Sequence, residues 1–325
     1  MKVTLSDIHE TTQAALLHHG AAEEPAREVA RAVTRAEALG NVICGLYYVE
    51  SYCLQLQSGR VDGRAIPAVS APRPASILSD AKFGFAQPAF AAARAQAVEA
   101  ARAHGIASLS VAHAHTCTSL GYFTEQLAED GLIAIGFTNA SPVVAPPGGN
   151  SAVIGTNPIA MSVPDGAGGL AMHFDFSTSA VALGKITMAK AAGEPIPLGW
   201  AVDNNGDPTT DPEAALAGAL VSAGGYKGWG FGLMAELLAA GVTGSVNSLD
   251  VKGLKLPDGS AHDLGQFYIL IDPATHGDHF AARFSRVAEA VAQQEGARLP
   301  GSDRVPLAEV DVPDALWNKI KGLAG

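Results

Sequence analysis

Gly224-Gly225-Tyr226-Lys227-Gly228-Trp229-Gly230-Phe231-Gly232, running into the apolar LMAELLAAGVTG (233–244), is where the fold is decided. A Rossmann nucleotide site needs G-x-G-x-x-G between a strand and a helix, and a phosphate loop needs G-x-x-x-x-G-K-[ST]. Here the glycines at 228, 230 and 232 alternate, which is neither pattern. The stretch reads instead as a glycine-rich loop feeding an apolar helix. Its free backbone N–H groups and Lys227, just before a helix N-terminus, could cradle a phosphate. The plainer alternative is a helix-packing loop with a solvated lysine.

Upstream, strand and helix signals alternate irregularly. ASILSD (75–80), IASLSVAHA (106–114), IAIGFTNA (133–140) and QFYILID (266–272) read as strands. The Ala-rich run from Phe85 to Gly105, the segment from Leu120 to Gly131 and residues 278–295 read as helices, with Gly131 as a C-terminal stop. Two helices are expected over 5–38, the first capped by Ser6 or Asp7, the second with Pro25 in its first turn. The aromatic-rich stretch after Asn41 could continue as helix. Residues 141–164 are loop-rich, and DNNGDPTTDPEAAL (203–216) is a turn leading into a Thr- or Asp-capped short helix. The class is α/β, of mixed α+β character, and the connections are too varied for a regular parallel sheet.

Composition narrows the function. The 325 residues carry 48% hydrophobic and 16% charged side chains, the balance of a globular enzyme. A net charge of −11 repels phosphate backbones, so no nucleic-acid partner is expected. No apolar run reaches the roughly 18 residues of a membrane helix. Asp7 and Glu10 stand where a signal peptide needs its apolar stretch, so the expected location is cytoplasmic.

Several residues could carry chemistry. His113 and His115 end a strand and should share one face; no third ligand is evident nearby, so no metal is expected. A proton-handling role for His115 is open. Cys44 is either a reactive thiol or a small buried hydrophobe. DFSTS (175–179) sets hydroxyls where a strand meets a helix, as caps or as sugar contacts. GTNPIA (155–160) is a turn.

Taken in order along nearly the whole chain, FAQPAFAAARA (85–95), residues 121–149, GTNPIA, FDFSTSAVALGKI (174–186), residues 194–218, residues 224–244 and ARLPG (297–301) resemble the type-2 malate/L-lactate dehydrogenase family. That family holds hydroxy-acid oxidoreductases and reductases of cyclic imines such as piperideine- and pyrroline-2-carboxylate. The resemblance implies a non-Rossmann NAD(P)-binding fold with NADPH, or NADH, as cofactor and a small-molecule substrate. It also implies a homodimer. Residues 73–277 would form the nucleotide-binding part, and 1–72 with 278–325 a helical substrate and dimerisation part. By position, Thr156, Asn157 and Pro158 match the turn at the nicotinamide and substrate pocket. Asp175, Ser177, Thr178 and Ser179 match a cofactor-contacting segment. Tyr226 and Lys227 match phosphate or ribose contacts, and Arg298, Pro300 and Gly301 a late cofactor-adjacent loop. Lys185 matches a lysine of the hydroxy-acid members, where imine reductases tend to carry Asp or Glu.

One loop departs from the family. Its signature S-H-G-x-x-R supplies a proton-donating His and a carboxylate-binding Arg; here Ile43-Cys44-Gly45-Leu46-Tyr47-Tyr48 stands instead. Cys44 takes the His position and Tyr48 the Arg position, while a further family His falls on Thr116, with His115 one place earlier. Ketone reduction makes an alkoxide that needs a positioned acid, whereas an iminium arrives protonated. The first reading is therefore a reductase of a C=N bond in a cyclic ketimine. The second is a 2-hydroxy-acid dehydrogenase whose acid has moved to Tyr47, Tyr48, His115 or Lys185. The third is a cofactor-binding protein without catalysis.

Overall fold

The computed structural model describes every residue except Lys255 and His276. Its centre is a seven-stranded sheet in the order β2-β3-β4-β11-β5-β6-β7. The strands are β2 (Ala68–Arg73), β3 (Ser76–Asp80), β4 (Ile106–Ala114), β5 (Ile133–Thr138), β6 (Ile159–Pro164), β7 (Leu170–Phe176) and β11 (Leu264–Ile271). Only β3 and β4 run parallel; the other neighbouring pairs are antiparallel. The mixed architecture expected from the sequence is borne out.

The crossover between the parallel strands is α4 (Ala86–His104). It buries Ala86, Ala89, Phe90, Ala93, Ala97 and Ala101, a stripe at helical spacing that faces the sheet. Gly105 stops the helix at φ +81, a backbone angle open to glycine. Phe90 meets Phe123 of α5 (Gly121–Glu129) edge to face at 5.0 Å, and Tyr268 of β11 at 5.4 Å.

Both chain ends form a second core. β1 (Lys2–Thr4) pairs with β12 (Glu309–Asp311). Helices α1 (Leu5–His18), α2 (Glu23–Ala38), α3 (Val49–Ser58) and α10 (Asp314–Ala324) pack around Ile8, Leu16, Tyr52 and Trp317. The first helix begins earlier than expected: Thr4, not Ser6 or Asp7, is its cap and accepts from the Asp7 N–H. The aromatic stretch does not simply continue as helix; it makes two 3-10 turns, Val42–Cys44 and Leu46–Tyr48, before α3.

A third, small unit holds β8 (Ala201–Val202), β9 (Pro208–Thr209), β10 (Ala219–Leu220), α6 (Leu183–Ala192) and α7 (Pro212–Ala217), with Asp211 capping α7. Its core is Val144, Ile154, Val181, Ile186 and Leu220. From it the chain enters α8 (Tyr226–Glu236), which turns into a π-helix at Leu237–Val242. The last long helix, α9 (His279–Ala292), buries none of its residues.

Candidate active site

The loop carrying Cys44 and Tyr48 is pinned from beneath. The Leu46 N–H donates to the buried Glu37 carboxylate at 2.7 Å. A Cβ on Gly45 would stand 2.2 Å from that same carboxylate oxygen, so a larger residue there would push Glu37 off the Leu46 N–H. Cys44 is half-buried, and Val42 and Ile43 are exposed. Tyr48 is 6% exposed, packs on Tyr52 at 4.9 Å, and donates to the Leu254 carbonyl at 3.3 Å. Burial raises the pKa of both phenols well above the usual tyrosine range.

Behind this pair lies a polar cluster. His115 Nε2 meets Gln55 Oε1, and Gln55 Nε2 donates to the Leu254 carbonyl at 2.6 Å. His262 stacks on His115 and accepts from the Thr116 N–H at 3.3 Å. Arg60, 1% exposed, donates to the carbonyls of Gly253, Leu256 and Ser260. Burial, with His262 and the Arg60 charge adding, holds the His115 pKa far down, and burial with Arg60 takes His262 down to about 3. His115 is thus a neutral imidazole with one nitrogen committed to Gln55, a poor acid at neutral pH. The expectation that His113 and His115 share a face fails. His113 has φ +50, which breaks the alternation, and it turns outward to Asp263 at 2.7 Å.

Some of the positions matched to the cofactor meet one another. The Thr178 hydroxyl donates to the carbonyls of Thr156 and Asn157, and a Cβ on Gly232 of α8 would lie 3.1 Å from that hydroxyl oxygen. The GTNP turn, the DFSTS segment and the glycine-rich helix therefore meet. Ser177 and Ser179 bond to each other at 3.1 Å, and Pro158 leads into β6. The Asn157 side chain is fully buried, so it shapes the turn from within.

Asp175 accepts from the Gly121 N–H at 2.7 Å at the start of α5, and from Ser119 at 3.4 Å. Burial raises its pKa, opposed by that Gly121 bond. Beside it a cleft of about 450 Å3 opens between Asn41, Asp175, Arg298, Pro300, Gly301 and Arg304. Arg298 pairs with Asp303, and Arg304 reaches the buried Glu125 at 2.5 Å. At the start of α8 a smaller hollow of about 190 Å3 lies between Pro147, Gly148, Gly149, Ser222 and Gly225. Cβ atoms built on Gly148, Gly224 and Gly225 would meet open space, and Tyr226 and Lys227 are exposed on the first turn of α8.

Lys185 stands exposed on the first turn of α6. Gln55, Arg60, Glu236 and His262 were not foreseen. Glu236 alone left a sequence signal, as the one carboxylate inside the apolar run LMAELLAAG.

The hollow, the cleft and their cations fit a dinucleotide. Open glycines admit close backbone approach, and Lys227, Arg298 and Arg304 supply positive charge for phosphates. Comparison with known proteins defines the class, NAD(P)-dependent oxidoreductases. The chain belongs to the malate/L-lactate dehydrogenase family, whose model matches residues 3–321, as its resemblance implied. It is 37% identical to a Δ1-pyrroline-2-carboxylate reductase of Ancylobacter novellus over 99% of this chain and 97% of that one. It is also 37% identical to a (2R)-3-sulfolactate dehydrogenase (NADP+) of Chromohalobacter salexigens, covering 99% and 98%. The crystal structure of Δ1-piperideine-2-carboxylate reductase from Pseudomonas syringae superposes with a TM-score of 0.93 at 34% identity, covering 99% of each chain.

Proposed function

We propose that this protein reduces the C=N carbon of a cyclic imino acid of the pyrroline- or piperideine-2-carboxylate kind, with NADPH or NADH as hydride source. The observation that carries this reading is the acid–base character of the wall around Tyr48. Its phenols are pushed up by burial and His115 is kept neutral, so the wall is poor in acids of the strength an alkoxide needs. An iminium carries its own proton. Tyr48, held by packing on the fully buried Tyr52, gives this loop an aromatic character that suits a flat ring. The relatives named above as pyrroline- and piperideine-carboxylate reductases support the same substrate class.

The bound nicotinamide would supply the hydride. The chain's own residues do the rest. The Thr156–Pro158 turn and Asp175–Ser179 shape one wall, the start of α8 and the Arg298–Gly301 loop offer donors to phosphates, and the buried Tyr48–Tyr52 pair keeps water away. NADPH is favoured over NADH because Arg298 and Arg304 line the cleft beside Asp175 and a relative is named for NADP+. We further infer a cytoplasmic homodimer. The dimer is supported by α9, which leaves Phe280, Phe284, Val287 and Val291 on one face with nothing buried. No helix among the described residues is long and apolar enough to cross a membrane.

The test is NADPH oxidation with pyrroline- and piperideine-2-carboxylate beside a panel of 2-oxo acids. Turnover of the imines is expected; turnover of the oxo acids alone overturns the reading. That outcome would support the second reading, 2-oxo-acid reduction. Asp175 favours it, since a carboxyl with a raised pKa beside the cleft is a candidate acid.

A further inference from the structure

Glu236 is the last residue of α8, is 6% exposed, and accepts hydrogen bonds from three directions. One carboxylate oxygen receives the Ser248 N–H at 2.7 Å and Asn247 Nδ2 at 3.2 Å. The other receives Asn157 Nδ2 at 2.8 Å and the Ser248 hydroxyl. A buried carboxylate is tolerated where its lone pairs are filled in this way.

The donors come from two different parts of the site. Asn157 is fully buried at φ +33, a strained angle for a residue with a side chain, and its amide also donates to the Gly232 carbonyl at 3.1 Å. It cannot flip its amide without turning Oδ1 onto that carbonyl. Asn247 and Ser248 open the segment that runs to Gly253 and Leu254. There Arg60 holds Gly253, and Leu254 accepts from Tyr48 and Gln55. The π-helix begins at the next residue. Gly265 fits against it so closely that a Cβ would stand 1.7 Å from the Ala239 carbonyl. The end of α8 is therefore clamped, and Glu236 cannot drift to follow its partners. Single π turns are commonly retained where a helix serves a site.

We propose that Glu236 is a positioning residue: it locks the Thr156–Pro158 turn and the Asn247–Leu254 segment to α8, so that nucleotide affinity depends on a bond network reaching the loop over Tyr48. The proposal rests on the nicotinamide site described above. Neither Glu236 nor Ser248 is assigned any contact with substrate or cofactor.

The experiment is a fluorescence titration of NADPH, and of NADH beside it, without substrate, on wild type, Glu236→Gln, Ser248→Ala and the double variant, with thermal unfolding alongside. Phe90→Leu, in the core against the sheet, serves as a control for lost stability. Glu236→Gln should weaken NADPH about tenfold, the worth of one charge-assisted hydrogen bond. Ser248→Ala should weaken it severalfold, and the double variant should be no worse than Glu236→Gln alone, because the two act as one unit. Phe90→Leu should lower Tm and leave affinity alone. In turnover assays the losses should appear in KM for NADPH more than in kcat. Affinities of Glu236→Gln and Ser248→Ala within twofold of wild type would overturn the proposal, as would affinity tracking Tm in the Phe90→Leu control. If Glu236→Gln does not fold, Ser248→Ala decides alone. Wild type that binds neither nucleotide sinks the proposed function itself, and this coupling with it; wild-type binding with unaffected variants sinks only the coupling.

Discussion

The imidazoles of His115 and His262 lie face to face, 4.0 Å between ring centroids and 17° from parallel, sealed behind Tyr52 and Gln55. Two such rings can share a small volume only while both stay neutral. Each charge would face the other and the nearby Arg60.

Acid should therefore unfold the protein early. His115, His262 and His173, the last brought by burial down to about 4, all have folded pKa values below the unfolded one near 6.5. A depressed histidine pKa means that the unfolded chain binds more protons, so stability is full above about pH 7 and falls as pH drops through 6.5. Between pH 7.5 and 5.5 the loss should be about 1 kcal/mol per histidine, a few kcal/mol for the three together. Asp175 and Glu37, shifted upward by burial, act in the opposite sense. Urea denaturation at the two pH values measures it; equal midpoints would refute it.

Tyr48→Phe separates the two chemical readings. If the substrate brings its own proton, removing the phenol should cost imine reduction less than about fivefold in kcat, well short of the 10²–10⁴ of a lost general acid. A thousandfold fall would make Tyr48 the acid. Steady-state kinetics on the purified variant decides.

Glycines 228 and 230 should respond in opposite ways to the same change. A Cβ on Gly228 would stand 1.9 Å from the Ala223 carbonyl, backbone that cannot step aside, whereas one on Gly230 meets nothing within 4 Å. Gly228→Ala should destabilise by about 2 kcal/mol or more and weaken NADPH binding by shifting the start of α8. Gly230→Ala should gain about 0.5–1 kcal/mol from helix propensity. Thermal melts showing the same sign for both would contradict the packing.

Glu125 lies buried between two arginines, 2.9 Å from Arg35 Nε and 2.5 Å from Arg304. Glu125→Gln leaves two cations facing each other beside the Asp175 cleft. The cost should be about 3 kcal/mol, at the lower end for a buried pair because both arginines keep about a third of their surface in water. A loss under about 1 kcal/mol in urea titrations would show that the arginines find other partners.

What the sequence made legible follows from local rules. β4 and the helix Glu23–Ala38 fall on the expected residues, and β3, β5 and β11 within two positions, because β-branched runs and alanine stripes act over a few residues. Asp211 announced itself as a cap in the same way. The break of alternation at His113 did not, since a positive φ is imposed from outside, here by Ser245 and Asp263. Gln55, Arg60 and His262 look like ordinary surface residues in their own segments. They become a cluster only when α3, the turn after it and the loop just before β11 converge, at separations of about 60 to 200 residues. Glycine spacing excluded a Rossmann unit, but no local signal could tell that the GTNP turn and the DFSTS segment would meet at Gly232.

The place of β11 has a consequence during synthesis. It fills the gap between β4 and β5, although more than a hundred residues separate it from either. Until residue 271 has left the ribosome, both neighbours present open edges with apolar faces, the condition in which nascent chains pair wrongly. Chaperone dependence should therefore end abruptly with the emergence of that one strand, and fragments stopping before it should aggregate, while loss of the final helix should be better tolerated by the sheet.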